Sequence, residues 1–202
     1  MNSTVKLSFA GVLILIVILR LVGCSGEGPV PDIAFRHYRV VTEASARMAS
    51  EHAPEGDGPI VAVIGESESA HLTKRSDWFR KAAEELELSK VEIVVVSKGD
   101  WSEEKGWSPA LLRNISTSYP DARAVVSFVG PPPSGSSGEF SPWTLVVLPN
   151  PIPMDAARQH GSVDATIEPS TVPADRPPLP KKASDDDFFN RYYQLSHEPR
   201  TQ

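Results

Sequence analysis

Residues 59–97 read PIVAVIGESESAHLTKRSDWFRKAAEELELSKVEIVVVS, and their pattern decides the fold. Two continuous apolar runs, Ile60–Ile64 and Val91–Val96, flank one amphipathic segment. Short apolar runs without alternation are what strands covered on both faces require. Between them, Phe79, Ala82, Ala83 and Leu86 recur at i, i+3, i+4 and i+7, which predicts a helix over Thr73–Leu88 with one face on the sheet. Trp78 and Phe79 read as core aromatics, and Lys74, Arg75, Lys81, Glu84 and Glu85 as the solvated side. Strand, helix and strand in that order predict a crossover into a parallel sheet.

Toward the C-terminus the pattern repeats. Ser108-Pro109 is a cap residue followed by proline at the first helical position; Leu111, Leu112, Ile115 and Tyr119 supply an apolar face, and Pro120 stops the helix. Ala124–Val129, Thr144–Leu148 and Val163–Ile167 read as three further strands, with a short helix over Pro153–His160. The expected fold is α/β, a three-layer sandwich around a mostly parallel sheet of about five strands, in the order βαβαβ-loop-βαβ, with helices on both faces. Beyond it, Pro169–Lys182 is proline-rich and reads as extended, and Asp185-Asp186-Asp187 leads into the aromatic run FFNRYYQL at 188–195. Such a run predicts docking, onto the domain or onto a partner. Phe35, Tyr38 and Val41 share the spacing of Phe189, Tyr192 and Leu195, so the two segments are expected to lie against the domain and bracket it.

Toward the N-terminus, Gly26–Pro31 is a tether, and Thr42–His52 predicts a short helix stopped by Pro54 and Gly56. Residues 1–6 carry Lys6, residues 7–19 are apolar, and a small residue precedes Cys24, the pattern of a secretory signal. The tetrapeptide Leu21-Val22-Gly23-Cys24 resembles the bacterial lipobox, although Arg20 interrupts the apolar region. That resemblance implies cleavage after Gly23 and a lipid on Cys24. The alternative is an uncleaved membrane anchor, for which about 13 apolar residues fall short of the roughly 20 that span a bilayer. Cys24 is the single cysteine, which leaves neither an internal disulfide nor a cysteine metal cluster. The formal charge of −6 argues against nucleic acid, since phosphate binding needs clustered Lys and Arg.

The strand VAVIG, the helix RSDWFRKAAEEL and the strands VEIVVVS and ARAVVSFVG together resemble the N-terminal lobe of type 1 periplasmic sugar-binding proteins, and RQHGSVDATIEPS resembles a later helix-strand unit of that family. The likeness spans roughly residues 59–170. It implies one lobe of a solute-binding fold, where the family has two that close on a ligand. The chain thus divides into a lipoprotein signal peptide (1–23), a tether and short helix (24–58), the α/β lobe (59–170), and a proline-rich linker with an aromatic tail (171–202).

In open α/β sheets, ligands sit beyond the carboxyl ends of the strands. That rule selects the loops Glu66–Thr73, Lys98–Trp107, Gly130–Pro142, Pro149–Pro151 and Glu168–Ser170. Within them Glu66, Ser67, Glu68, His71, Asp100 and Trp101 form the candidate ligand-binding set: carboxylates and hydroxyls to accept polyol hydrogen bonds, and Trp101 or Trp107 to stack on a sugar face. The competing reading is solvated loop polars and a tryptophan covering the sheet edge. Gly65-Glu66-Ser67 resembles the Gly-Asp-Ser block of SGNH hydrolases, with Ser67 as nucleophile, but the later Asp-x-x-His and Gly-x-Asn-Asp blocks are missing. No G-x-G-x-x-G or Walker lysine follows a strand, and Glu66 and Glu68 would repel a pyrophosphate. No cofactor and no metal site is expected. The reading is therefore an envelope lipoprotein, anchored through Cys24 and facing the periplasm or exterior. It acts as a non-catalytic module for a small polar solute or a partner protein; a serine hydrolase using Ser67 and a purely structural envelope protein are the alternatives. A fatty-acid analogue fed to expressing bacteria should label the wild type and leave Cys24→Ser unlabelled; equal labelling would remove the anchor.

Overall fold

The computed structural model describes residues 32–66, 74–88, 90–102, 105–133, 142–147, 163–170, 179–180 and 182–197. Residues 37–202 form one compact unit; of the other, residues 1–36, only the opening turn of a helix is described. Cys24, Ser67, Glu68, His71 and the expected helix at Pro153–His160 lie outside the described residues.

The elements are helix α1 (Asp32–His52), strand β1 (Ile60–Gly65), helix α2 (Arg75–Glu85), strand β2 (Val91–Val96), the short strands β3 (Trp101–Ser102) and β4 (Gly106–Trp107), helix α3 (Pro109–Ser118), strands β5 (Ala124–Ser127), β6 (Trp143–Val147) and β7 (Ala165–Pro169), helix α4 (Asp185–Tyr192) and strand β8 (Tyr193–His197). The main sheet has six strands in the order β2-β1-β5-β6-β7-β8, all parallel except β8, which runs antiparallel to β7. The mostly parallel α/β sheet is as expected, with one more strand than the five read from the sequence.

Strand β1 is the centre of the molecule. Ile60, Val61, Ala62 and Val63 are fully buried, and Ile64 nearly so. Because side chains alternate across a strand, they enter two cores. Ile60, Ala62 and Ile64 join Val41, Ala46 and Ala49 of α1 and Phe79 and Ala82 of α2 on one face. Val61 and Val63 join Trp107 and Leu111, Leu112 and Ile115 of α3 on the other. Strand β2 departs from the expectation of cover on both sides: it is the edge strand, and Val95 is 59% exposed.

Helix ends follow local chemistry. Ser108 caps α3 by accepting a hydrogen bond from the Leu111 amide, with Pro109 at the first position. Helix α2 stops where the Leu88 amide reaches Ala83 O and the Glu87 amide reaches Glu84 O, with Glu87 in the left-handed region at φ 54°. Gly106, at φ 69°, passes so close to the Pro131 backbone that any Cβ would collide with it.

Two regions extend beyond their expected bounds. The helix read over Thr42–His52 begins ten residues earlier, at Asp32. The sheet does not end near residue 170, because the aromatic tail folds back as α4 and β8. A capping box between Ser184 and Asp187 starts α4. Arg39 and Arg47 of α1 pair with Asp185 and Asp186 at 2.9 and 3.0 Å. Phe188 is 3% exposed. Replacing Phe188 with alanine should therefore cost about 3 kcal/mol, roughly 6–12 °C in a thermal melt; an unchanged midpoint would show that the tail does not contribute to the fold.

Candidate functional site

The first two crossovers run in opposite directions. From β1 the chain moves outward to β2, then returns past β1 to β5. That reversal puts α2 and α3 on opposite faces and opens the carboxyl edge of the sheet, where α/β proteins hold ligands. A cavity of about 250 Å³ lies on the α1–α2 side of this edge. Its walls come from the carboxyl ends of three parallel strands (Phe128 after β5, Val147 of β6, Pro169 of β7), from His37, Tyr38 and Val41 of α1, from Arg75 at the start of α2, and from Tyr192 and Tyr193 where α4 passes into β8.

Arg75 dominates its electrostatics. The guanidinium carbon stands 4.6 Å from the centre of the Phe128 ring and 5.4 Å from that of Tyr38, a cation held over aromatic faces. Phe79, fully buried, meets Phe128 edge-on at 6.3 Å and sets its plane. Arg75 Nε is sealed from solvent with no hydrogen-bond partner among the described residues. Burial draws the Arg75 pKa down to about 10, with Tyr38 and Tyr193 opposing the shift. The solvated position expected for Arg75 is thus corrected. The residue begins α2 on the side facing α1, and tertiary packing half-buries it and seals its Nε.

His37 and Tyr193 close the other wall. A 2.8 Å hydrogen bond joins His37 Nδ1 to the Tyr193 hydroxyl. Burial pushes the Tyr193 phenol up to about 12, so it keeps its proton, and burial lowers the His37 pKa, so the imidazole is held neutral. The His37 ring meets Phe188 at 4.7 Å and Tyr192 at 4.9 Å, both edge-on. The segments around Tyr38 and Tyr192, matched in spacing along the sequence, meet in space at this cavity.

Of the six residues selected from the sequence, the three that are described, Glu66, Asp100 and Trp101, do not line it. Glu66 is exposed at the end of β1, its amide donating to Val96 O. Asp100 organises a turn, its carboxylate accepting from the Ser97 amide and hydroxyl at 3.1 and 2.9 Å. Trp101 packs with the α3-side core, close against Gly65, and its Nε1 is buried without a partner among the described residues. Trp107, the alternative stacking residue, is 2% exposed and donates from Nε1 to Ser127 Oγ at 2.9 Å, so it belongs to the core. Ser67, Glu68 and His71 fall outside the described residues. Sequence reading reached Pro169 and Ser170 through the carboxyl-end rule, but it missed His37, Tyr38, Arg75 and Phe128. A cation at the first position of a helix was the one available signal for Arg75.

No protein-family model matches the chain, and no curated protein matches it. Among solved structures it is similar to a periplasmic ribose ABC transporter from Conexibacter woesei, with a TM-score of 0.48, 18% identity, and cover of 65% of this chain and 45% of that one. A substrate-binding protein of a sugar ABC transport system from Bordetella parapertussis gives 0.48 and 14% identity, over 65% and 41%. A glucose-galactose binding protein from Geobacillus stearothermophilus gives 0.43 and 15%, over 65% and 47%. The chain spans less than half the length of each of them.

The His37 environment sets a pH dependence. The unfolded chain takes up its proton near pH 6.5, and the folded protein does so only lower. Stability contributed here is complete above that value and falls as the pH drops toward the folded pKa. Between pH 7.5 and 5.5 the wild type should lose more thermal stability than His37→Gln; parallel losses would remove the buried imidazole as the cause.

Proposed function

We propose that this chain is an envelope-anchored, non-catalytic binding module whose ligand, a small polar solute, enters the cavity at the carboxyl edge of the sheet. One observation carries this reading: a half-buried guanidinium, its Nε sealed from solvent and without a hydrogen-bond or ion-pair partner among the described residues, faces a 250 Å³ cavity at the position where the fold type receives ligands. The cavity offers the face of Phe128, the ring of Tyr38, one cation and the phenols of Tyr192 and Tyr193. These groups hold and orient a molecule rather than transform it. Its volume lies just below the roughly 300 Å³ at which drug-sized pockets begin, which suits a solute of monosaccharide size or smaller.

The anchor rests on the N-terminal pattern. A signal-like segment and the lipobox-like LVGC sequence lead into a tether ending at Pro31, so the module would sit close to the membrane surface. Another hollow of the domain, about 480 Å³ between α1 and the α4–β8 unit, is a weaker candidate. Its arginine, Arg47, is already paired with Asp186.

A thermal-shift screen with neutral sugars, polyols and the corresponding sugar acids tests the proposal. A ligand at 100 times its dissociation constant stabilises by about 2.7 kcal/mol, which is roughly 5–11 °C here. At least one compound should give such a shift, and Phe128→Ala should lose it. No shift across the panel would favour a structural envelope protein.

A further inference from the structure

We propose that the solute carries a carboxylate, and that this group seats on the Arg75 guanidinium beside the Phe128 and Tyr38 rings. The inference rests on the reading of the cavity as a solute site and names the chemical class it takes.

Three other arginines among the described residues make the contrast. Arg39 pairs with Glu43 and Asp185. Arg47 pairs with Asp186. Arg123 donates to the Gly58 and Pro54 carbonyls. Among the described residues Arg75 meets only ring faces, and no described Asp or Glu lines its cavity. Burying a cation without a counter-charge costs free energy, and replacing it with an apolar side chain ordinarily relieves that cost. A planar guanidinium presents a fork of donors matched to a carboxylate, and one cation matches one negative charge. The lowered Arg75 pKa agrees, since a resident carboxylate would shift it the other way.

The start of α2 adds a second, independent observation. Lys74 and Arg75 occupy the end of the helix where the macrodipole disfavours cations. Lys74, at the cap position, makes no side-chain cap hydrogen bond and has no acceptor to offer the first-turn amides. Both cations therefore stand at the end of α2 where negative charge is favoured, and Arg75 is the one that lines the cavity.

Matched pairs separate this inference from the broader one: galactose with galacturonate, ribose with ribonate, and glycerol with glycerate, titrated calorimetrically into the full-length protein in mild detergent at constant ionic strength. At least one acid should bind saturably while its neutral partner does not. Arg75→Gln should weaken that acid about 10- to 100-fold, as loss of a charge-assisted bond implies, and Arg75→Lys should weaken it less. A neutral member that binds equally to wild type and Arg75→Gln would overturn the carboxylate while leaving solute binding intact. No binding by any member would overturn both. Ligand-free Arg75→Gln should melt within about 5 °C of the wild type. A larger fall would show that Arg75 already neutralises a carboxylate of its own chain, and would end the proposal.

Discussion

The burial of β1 on both faces is the constraint on which the rest of the structure depends. Five consecutive apolar residues have almost no exposed surface, and strand alternation divides them between two cores. One core needs α1 and α2 as cover, and the other needs α3 and the Trp107 side chain. With β2 on one side of β1 and β5 on the other, the backbone groups of β1 are paired along both edges. Its position also makes the chain reverse direction between the first and second crossovers. The opening at the carboxyl edge is a consequence of that reversal.

The open edge is closed on one side by parts of the chain that a minimal α/β lobe does not need. Helix α1 and the α4–β8 unit meet around His37, Phe188, Tyr192 and Tyr193. The acidic first turn of α4 suits its own dipole and also faces Arg39 and Arg47. Those ion pairs are partly or largely exposed and each contributes little. Phe188 and the ladder between β7 and β8 supply the main attachment. The result is a cavity with walls fixed by packing and, in one wall, the Arg75 guanidinium with its Nε sealed from solvent.

Much of the fold was legible because burial and periodicity are local signals. Ile60–Ile64 and Ala124–Val129 are apolar without alternation, and both became strands inside the sheet. Ser108-Pro109 marked the start of α3 through cap chemistry that involves only its neighbours. Strand β8 was not legible. Tyr193–His197 follows α4 with no intervening turn, and it is a strand because the free edge of β7 accepts it. The early start of α1 was missed for a related reason, since its apolar face is defined by the sheet it covers. For the candidate site, the carboxyl-end rule pointed to the edge where the cavity lies, while Asp100 and Trp101, taken from its loops, serve a turn and the opposite core.

What the sequence determined by itself was the set of elements carrying their own pattern: the central strands, helices α2 and α3 with their buried faces, and the parallel order that links them. These follow from hydrophobic period and capping, which act over a few residues. What only the tertiary structure decided was which polar residues meet. Arg75 looks solvated on a helical wheel, yet Tyr38 from more than thirty residues upstream and Phe128 from more than fifty downstream enclose it. Electrostatic environment is a property of everything within a few ångströms, and distance along the chain does not encode it.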